Sequence, residues 1–139
     1  MTARQQERRF DPEYGRTLLD IAEKDFTTAR FAESGVPSGE VRPENLLFLY
    51  QQAIEKLLKA VLCRLEVPVP LVHDLGVLPA KLPENVQPGV GYEINRLNEF
   101  AGVRHYEEGG ILYEPEDLDD ARTLTEELLA WARRIMAGA

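Results

Sequence analysis

The sequence predicts an all-α domain, an up-and-down four-helix bundle with one additional short helix. Three observations carry this. Apolar residues recur at three- and four-residue steps through four long segments. Proline and glycine cluster between these segments, at 34–39, 67–70, 83–91 and 109–110, where they break helices. Nothing reads as a series of alternating strands. Long helices with short connections favour a bundle.

Residues 1–11 form an N-terminal extension containing Arg4, Arg8 and Arg9, expected to be flexible. The domain itself spans 12–137. Its first helix runs from about Pro12 to Ser34, with Leu18, Ala22, Phe26 and Ala29 on one face. The second runs from about Pro43 to Glu66, where Pro43 suits a first turn and Glu44 suits the helix dipole. Its apolar set is Leu46, Leu47, Tyr50, Ala53, Ile54, Leu57, Leu58, Val61, Leu62 and Leu65. That stripe is too wide for one narrow buried face. The helix is therefore central in the bundle, or shared between the core and a subunit contact. A minor helix is expected around His73-Asp74-Leu75 with Leu78 and Leu82. A fourth segment, the third long one, runs from about Tyr92 to Tyr106 with Ile94, Leu97 and Ala101 on one face. The last helix runs from about Pro115 to Met136, marked by Leu118, Ala121, Leu124, Leu128, Ala132 and Ile135.

Composition narrows the chemistry. A chain of 139 residues with 44% hydrophobic and 29% charged residues suits one globular domain. The net charge of −8 argues against general affinity for nucleic-acid backbone, and DNA is not an expected partner. It leaves room for a local basic pocket. Cys63 is alone, so no internal disulfide forms. Two histidines and one cysteine follow no zinc-ligand spacing, and neither a metal nor a cofactor is expected. No stretch reaches the roughly 20 apolar residues of a membrane span, and the first residues hold no apolar signal core. A cytoplasmic location is expected.

Few residues stand out as chemical candidates. On the fourth segment the apolar face Ile94, Leu97, Ala101 continues into Arg104, followed by His105 and Tyr106. A cation on a core-facing stripe needs a partner. Arg104 therefore reads as a salt bridge to an acid such as Glu55, as a side chain reaching to solvent, or as an anion-binding fork. His73 precedes the minor helix, where it caps or packs, or faces the same cleft as Arg104. Gln52, Glu55, Lys56 and Lys59 make a polar ridge on the second helix, most simply a solvated face, with Glu55 and Lys59 at ion-pair spacing. Cys63 reads as an inert buried thiol.

Three motifs occur in order: Tyr50 through Ala60 (YQQAIEKLLKA), His73-Asp74-Leu75 after a proline-containing loop, and Phe100 through Tyr106 (FAGVRHY). In these the chain resembles the HEPN family, the higher eukaryotes and prokaryotes nucleotide-binding domains, over roughly Tyr14 to Met136. The resemblance implies a bundle of about five helices, commonly a homodimer, frequently working with a small nucleotidyltransferase as a toxin–antitoxin pair. Many members are metal-independent endoribonucleases in which a histidine is general acid/base and an arginine steadies the phosphate. Their signature is Arg, four to six variable residues, then His. Here His105 follows Arg104 at once and no later histidine exists, while Arg96 precedes His105 with eight residues between. The nuclease signature is absent as usually written.

The resemblance therefore implies, first, a dimeric module that binds a nucleotide or RNA phosphate beside a nucleotidyltransferase. Its ligand residues would be Gln52, Lys56, Lys59, His73, Arg104 and Tyr106. Activity as an endoribonuclease toxin would instead draw on Arg104 with His105 or His73. A third reading is a noncatalytic dimeric subunit that binds a partner protein.

Overall fold

A computed structural model of the chain describes residues 7–71, 75–89, 94, 97 and 114–138. The architecture is all-α, as the periodicity predicts. Helix α1 spans Tyr14–Ala32, α2 Pro43–Arg64, the short α3 Val77–Ala80 and the C-terminal α4 Pro115–Gly138. Ile94 and Leu97 are also helical and buried, in agreement with the apolar face drawn through them. Arg104, His105, Tyr106, His73 and Asp74 lie outside the described residues. No helix among the described residues is long and apolar enough to cross a membrane.

The directions of the helices follow from who touches whom. Gly15, at the start of α1, approaches Ala60 and Arg64 near the end of α2 and Met136 near the end of α4. At the other end, Glu33 just beyond α1 reaches Tyr50 on α2 and Arg122 on α4. So α1 runs antiparallel to both α2 and α4, the arrangement of an up-and-down bundle. A side chain at Gly15 would sit 2.8 Å from the carbonyl oxygen of Ala60, which explains a glycine in a first helical turn. The missing Cβ lets the two backbones meet.

Helix α2 is the axis of the molecule. Leu46, Leu47, Tyr50, Ala53, Ile54, Leu57, Leu58, Val61 and Leu62 are all buried, α2 packing against α1, α3 and α4 in a core that also holds Ile94 and Leu97. A helix apolar nearly all round belongs inside a core. The width that the sequence left open between a core and a subunit contact is used up within this one chain. Helix α4 adds Leu118, Ala121, Leu124, Leu128 and Ala132 as expected, together with Leu129 and Trp131. Trp131 donates its indole N–H to the carbonyl of Val86 at 2.9 Å, tying the proline-rich connection to α4.

Helix α2 stops through a backbone turn. The N–H of Val67 bonds to the carbonyl of Leu62 at 2.9 Å and that of Glu66 to Cys63 at 3.0 Å, the paired pattern of a Schellman end. The left-handed position of that motif is taken by Glu66, with φ of 60°, where glycine is commonest. Pro68 then forbids continuation.

The structure adds one element that helical periodicity does not report. Glu7–Arg8 pairs antiparallel with Val69–Pro70, placing Glu7 opposite Pro70 and Arg8 opposite Val69. Arg9 donates to the carbonyl of Glu66 at 3.2 Å, and Lys81 meets Glu7 at 3.3 Å. The last residues of the N-terminal extension, expected to be flexible, are thus pinned beside the α2 terminus. Two-residue strands are too short for a periodic signal to reveal them.

Candidate functional site

The polar ridge of α2 is where the sequence placed most of its candidates. In the structure it is not a solvated face. Glu55 is 4% exposed and its neighbour Gln51 1%, while Gln52, Lys56 and Lys59 are only partly exposed. Burying such groups is unfavourable unless each finds a partner, and the partners are specific. Lys59 Nζ lies 3.4 Å from Glu55 Oε2, the ion pair that the four-residue spacing predicts. Lys56 Nζ donates to Asp25 Oδ2 on α1, with both side chains about three-quarters shielded from solvent. Gln52 donates its amide to Gln51 Oε1 at 3.1 Å.

Gln52, Lys56 and Lys59 therefore share one side of α2, but each is already engaged by a neighbour. The positive charge of Lys56 is matched by Asp25, and that of Lys59 by Glu55. His73, Arg104, His105 and Tyr106, the other candidates, lie outside the described residues. What the described ridge supplies is one wall: a half-buried row of amide, carboxylate and ammonium groups on the helix that carries the longest motif.

Two features of this wall were missed in the sequence. Gln51 follows Leu47 by four residues and precedes Ile54 and Leu58 by three and seven, so it stands on the apolar stripe. A polar side chain at such a position was a readable signal. Asp25 carried none, because its pairing with Lys56 joins residues 31 apart in sequence.

At the C-terminal end of α1 a second polar cluster crosses the bundle. Tyr50 Oη donates to Glu33 Oε1 at 2.6 Å. Arg122 donates to Glu33 Oε2 at 2.8 Å and to Asp119 Oδ1 at 2.9 Å. Burial, reinforced by the bond to the Glu33 carboxylate, pushes the Tyr50 phenol far above its ordinary range. This group joins α1, α2 and α4 and holds the phenol neutral, so it reads as a strut. Cys63 is buried, and burial pushes its thiol up, away from the reactive thiolate. An open cleft of about 430 Å³ lies between α1 and the end of α4, lined in part by Arg16, Asp20, Glu23, Arg133 and Met136. Arg133 pairs with Glu23 at 3.1 Å, and Lys24 with Asp20 at 2.8 Å. Most of its charges are thus matched locally, and none of the candidates lies there.

An antiparallel helical bundle around one central, largely buried helix, with a polar row along that helix, defines the class. A family model for the HEPN domain matches residues 16–135 of the 139. The chain belongs to the HEPN family, as its motifs suggested, and at the family level that supports a role connected with nucleotides or RNA. No individual curated protein and no solved structure matches it.

Proposed function

We propose that this protein is the nucleotide- or RNA-phosphate-binding member of a two-component system, acting beside a nucleotidyltransferase-type partner and as a homodimer. The observation that supports it is the largely buried polar row Gln51, Glu55 and Lys59 on α2, in a chain that belongs to the HEPN family. A helix that served packing alone would gain by replacing these residues with apolar ones. In this reading Arg104 supplies the bidentate grip on phosphate. Lys59 and Lys56 contribute positive potential tempered by their acidic partners, while His73 and Tyr106 offer hydrogen bonds and stacking.

Calorimetric titration with ATP, GTP and a short RNA tests it. Wild type binds at least one of them, and Arg104→Ala loses at least tenfold in affinity, the scale of one charge-assisted phosphate contact of about 1.5–3 kcal/mol. Failure of wild type to bind any of the three overturns the reading. Growth arrest with RNA cleavage on expression, abolished by His105→Ala, would replace it with the endoribonuclease reading. Co-purification with the product of an adjacent nucleotidyltransferase reading frame tests the partner, and light scattering tests the dimer.

A further inference from the structure

The N-terminal segment carries an arrangement that the α2 site does not use. The Arg8 guanidinium lies over the Phe10 ring, 5.0 Å from its centre. The Phe10 and Tyr14 rings are stacked with centres 5.2 Å apart and planes inclined by 23°. Tyr14 is 40% exposed, so this aromatic pair is open to solvent at one end. Phe10 is partly buried against the core and anchors the group.

The charges here are unevenly satisfied. Glu7 meets Lys81 at 3.3 Å, Asp11 accepts the N–H of Glu13 at 2.9 Å, and Glu13 faces Arg16 at 3.8 Å. The two arginines are different. Among the described residues Arg8 makes no ion pair and rests on Phe10, while Arg9 donates only to the carbonyl of Glu66 at 3.2 Å. The Arg8 guanidinium, without a carboxylate, thus rests on an aromatic pair open at one end, and Arg9, likewise without one, adjoins it in sequence, in a chain whose net charge is −8. The ladder of Glu7–Arg8 with Val69–Pro70 and the start of α1 hold the stack in place. A ligand would therefore meet a surface already ordered, with little ordering cost on binding.

From this geometry we infer that Arg8, Phe10 and Tyr14 form a stacking platform for an unpaired base of single-stranded RNA, with Arg8 and Arg9 on the adjoining phosphates. Aromatic faces accept any base, and guanidinium groups beside them take the backbone, the combination used for sequence-tolerant single-strand binding. The inference rests on the reading that this protein handles RNA. It adds a second contact, separate from the α2 wall, through which a strand can be held.

The test uses the full chain and a short fluorescein-labelled oligoadenylate, followed by anisotropy, with ATP titrated separately. Tyr14→Ala weakens oligoadenylate binding about tenfold or more, the usual scale for one stacked base, and leaves ATP binding unchanged. Tyr14→Phe, which keeps the ring, binds as wild type does. The wild-type affinity falls with salt, and Arg8→Gln makes the log–log slope shallower by about 0.7, the share of one phosphate on a single strand. A 4-thiouridine-substituted strand photo-crosslinks wild type within residues 8–14, a readout that does not depend on any variant folding. Oligoadenylate binding that is unchanged in Tyr14→Ala, or crosslinks confined to other residues, overturns the platform. If ATP binding still requires Arg104 in that case, the α2 reading survives alone. If oligoadenylate binding requires Tyr14 while no nucleotide binding requires Arg104, the platform stands and the α2 reading falls.

Discussion

Lys56 on α2 and Asp25 on α1 form an ion pair between two helices, with side chains 25% and 23% exposed. The pair matters because Lys56 lies within the longest motif of the chain, where a free lysine would read as a phosphate ligand. Its charge is spent on the neighbouring helix. Lys56→Ala and Asp25→Ala should each lower stability by about 1 kcal/mol, a modest figure because the pair retains some solvent screening. In urea unfolding the double variant should lose less than the two single losses combined, with a coupling of about 0.5–1 kcal/mol. Strict additivity would mean that the pair contributes nothing. Nucleotide affinity should fall less in Lys56→Ala than in Arg104→Ala.

The close approach of α1 to α2 makes Gly15 a sensitive position. An alanine Cβ would meet the Ala60 carbonyl oxygen at 2.8 Å and the Met136 methyl at 3.3 Å. The methionine end can swing aside, but a helical carbonyl cannot. Better helix propensity offers at most about 1 kcal/mol at this first-turn position, and the forced separation of two helices costs about 1–3 kcal/mol. The clash should win. Gly15→Ala is expected to lower Tm by several degrees, and a higher Tm would show that the helices separate at little cost.

Tyr50 and Glu33 give an alkaline signature. The folded state raises the pKa of Tyr50 through burial and the Glu33 bond, so folding favours the protonated phenol. This contribution is intact below the unfolded-state pKa of about 10. As pH rises past that value the unfolded chain loses the proton first, and stability falls by up to about 1.4 kcal/mol per pH unit from this residue. Tyr50→Phe should therefore be less stable at neutral pH, by about 1 kcal/mol for the lost hydrogen bond. It should also show a shallower decline above pH 10. Equal alkaline slopes for the two proteins would contradict the assignment.

Cys63 should behave as a reporter of unfolding. It is 1% exposed and its thiol is held protonated by burial. Ellman's reagent should label the native protein only as fast as the chain opens, and labelling should become immediate in denaturant. Rapid labelling under native conditions would mean that the end of α2 opens locally.

Glu66 occupies a left-handed backbone position, φ 60°, that disfavours residues bearing a Cβ. Glu66→Gly should raise stability by about 0.5–1 kcal/mol, since relief of that conformation exceeds the added freedom of the unfolded chain. Thermal melts would settle the sign, and a loss of stability would indicate that the Glu66 side chain contributes contacts of its own.

Periodicity alone determined the helices. Leu18, Ala22 and Ala29, the apolar set of α2 from Leu46 to Leu62, and Leu118, Ala121, Leu124, Leu128 and Ala132 are buried where three- and four-residue spacing placed them, because burial of one stripe is a local property of a helix. The motifs alone were enough to indicate the family. What spacing could not decide was the partner of each polar group. The pairing of Lys56 with Asp25, the strut from Tyr50 through Glu33 to Arg122, and the docking of Arg8 beside Val69 join residues far apart in sequence. Such contacts exist only once the helices have packed. The ridge on α2 was legible as polar, but its burial was not, since solvent exposure depends on what the rest of the chain lays against it.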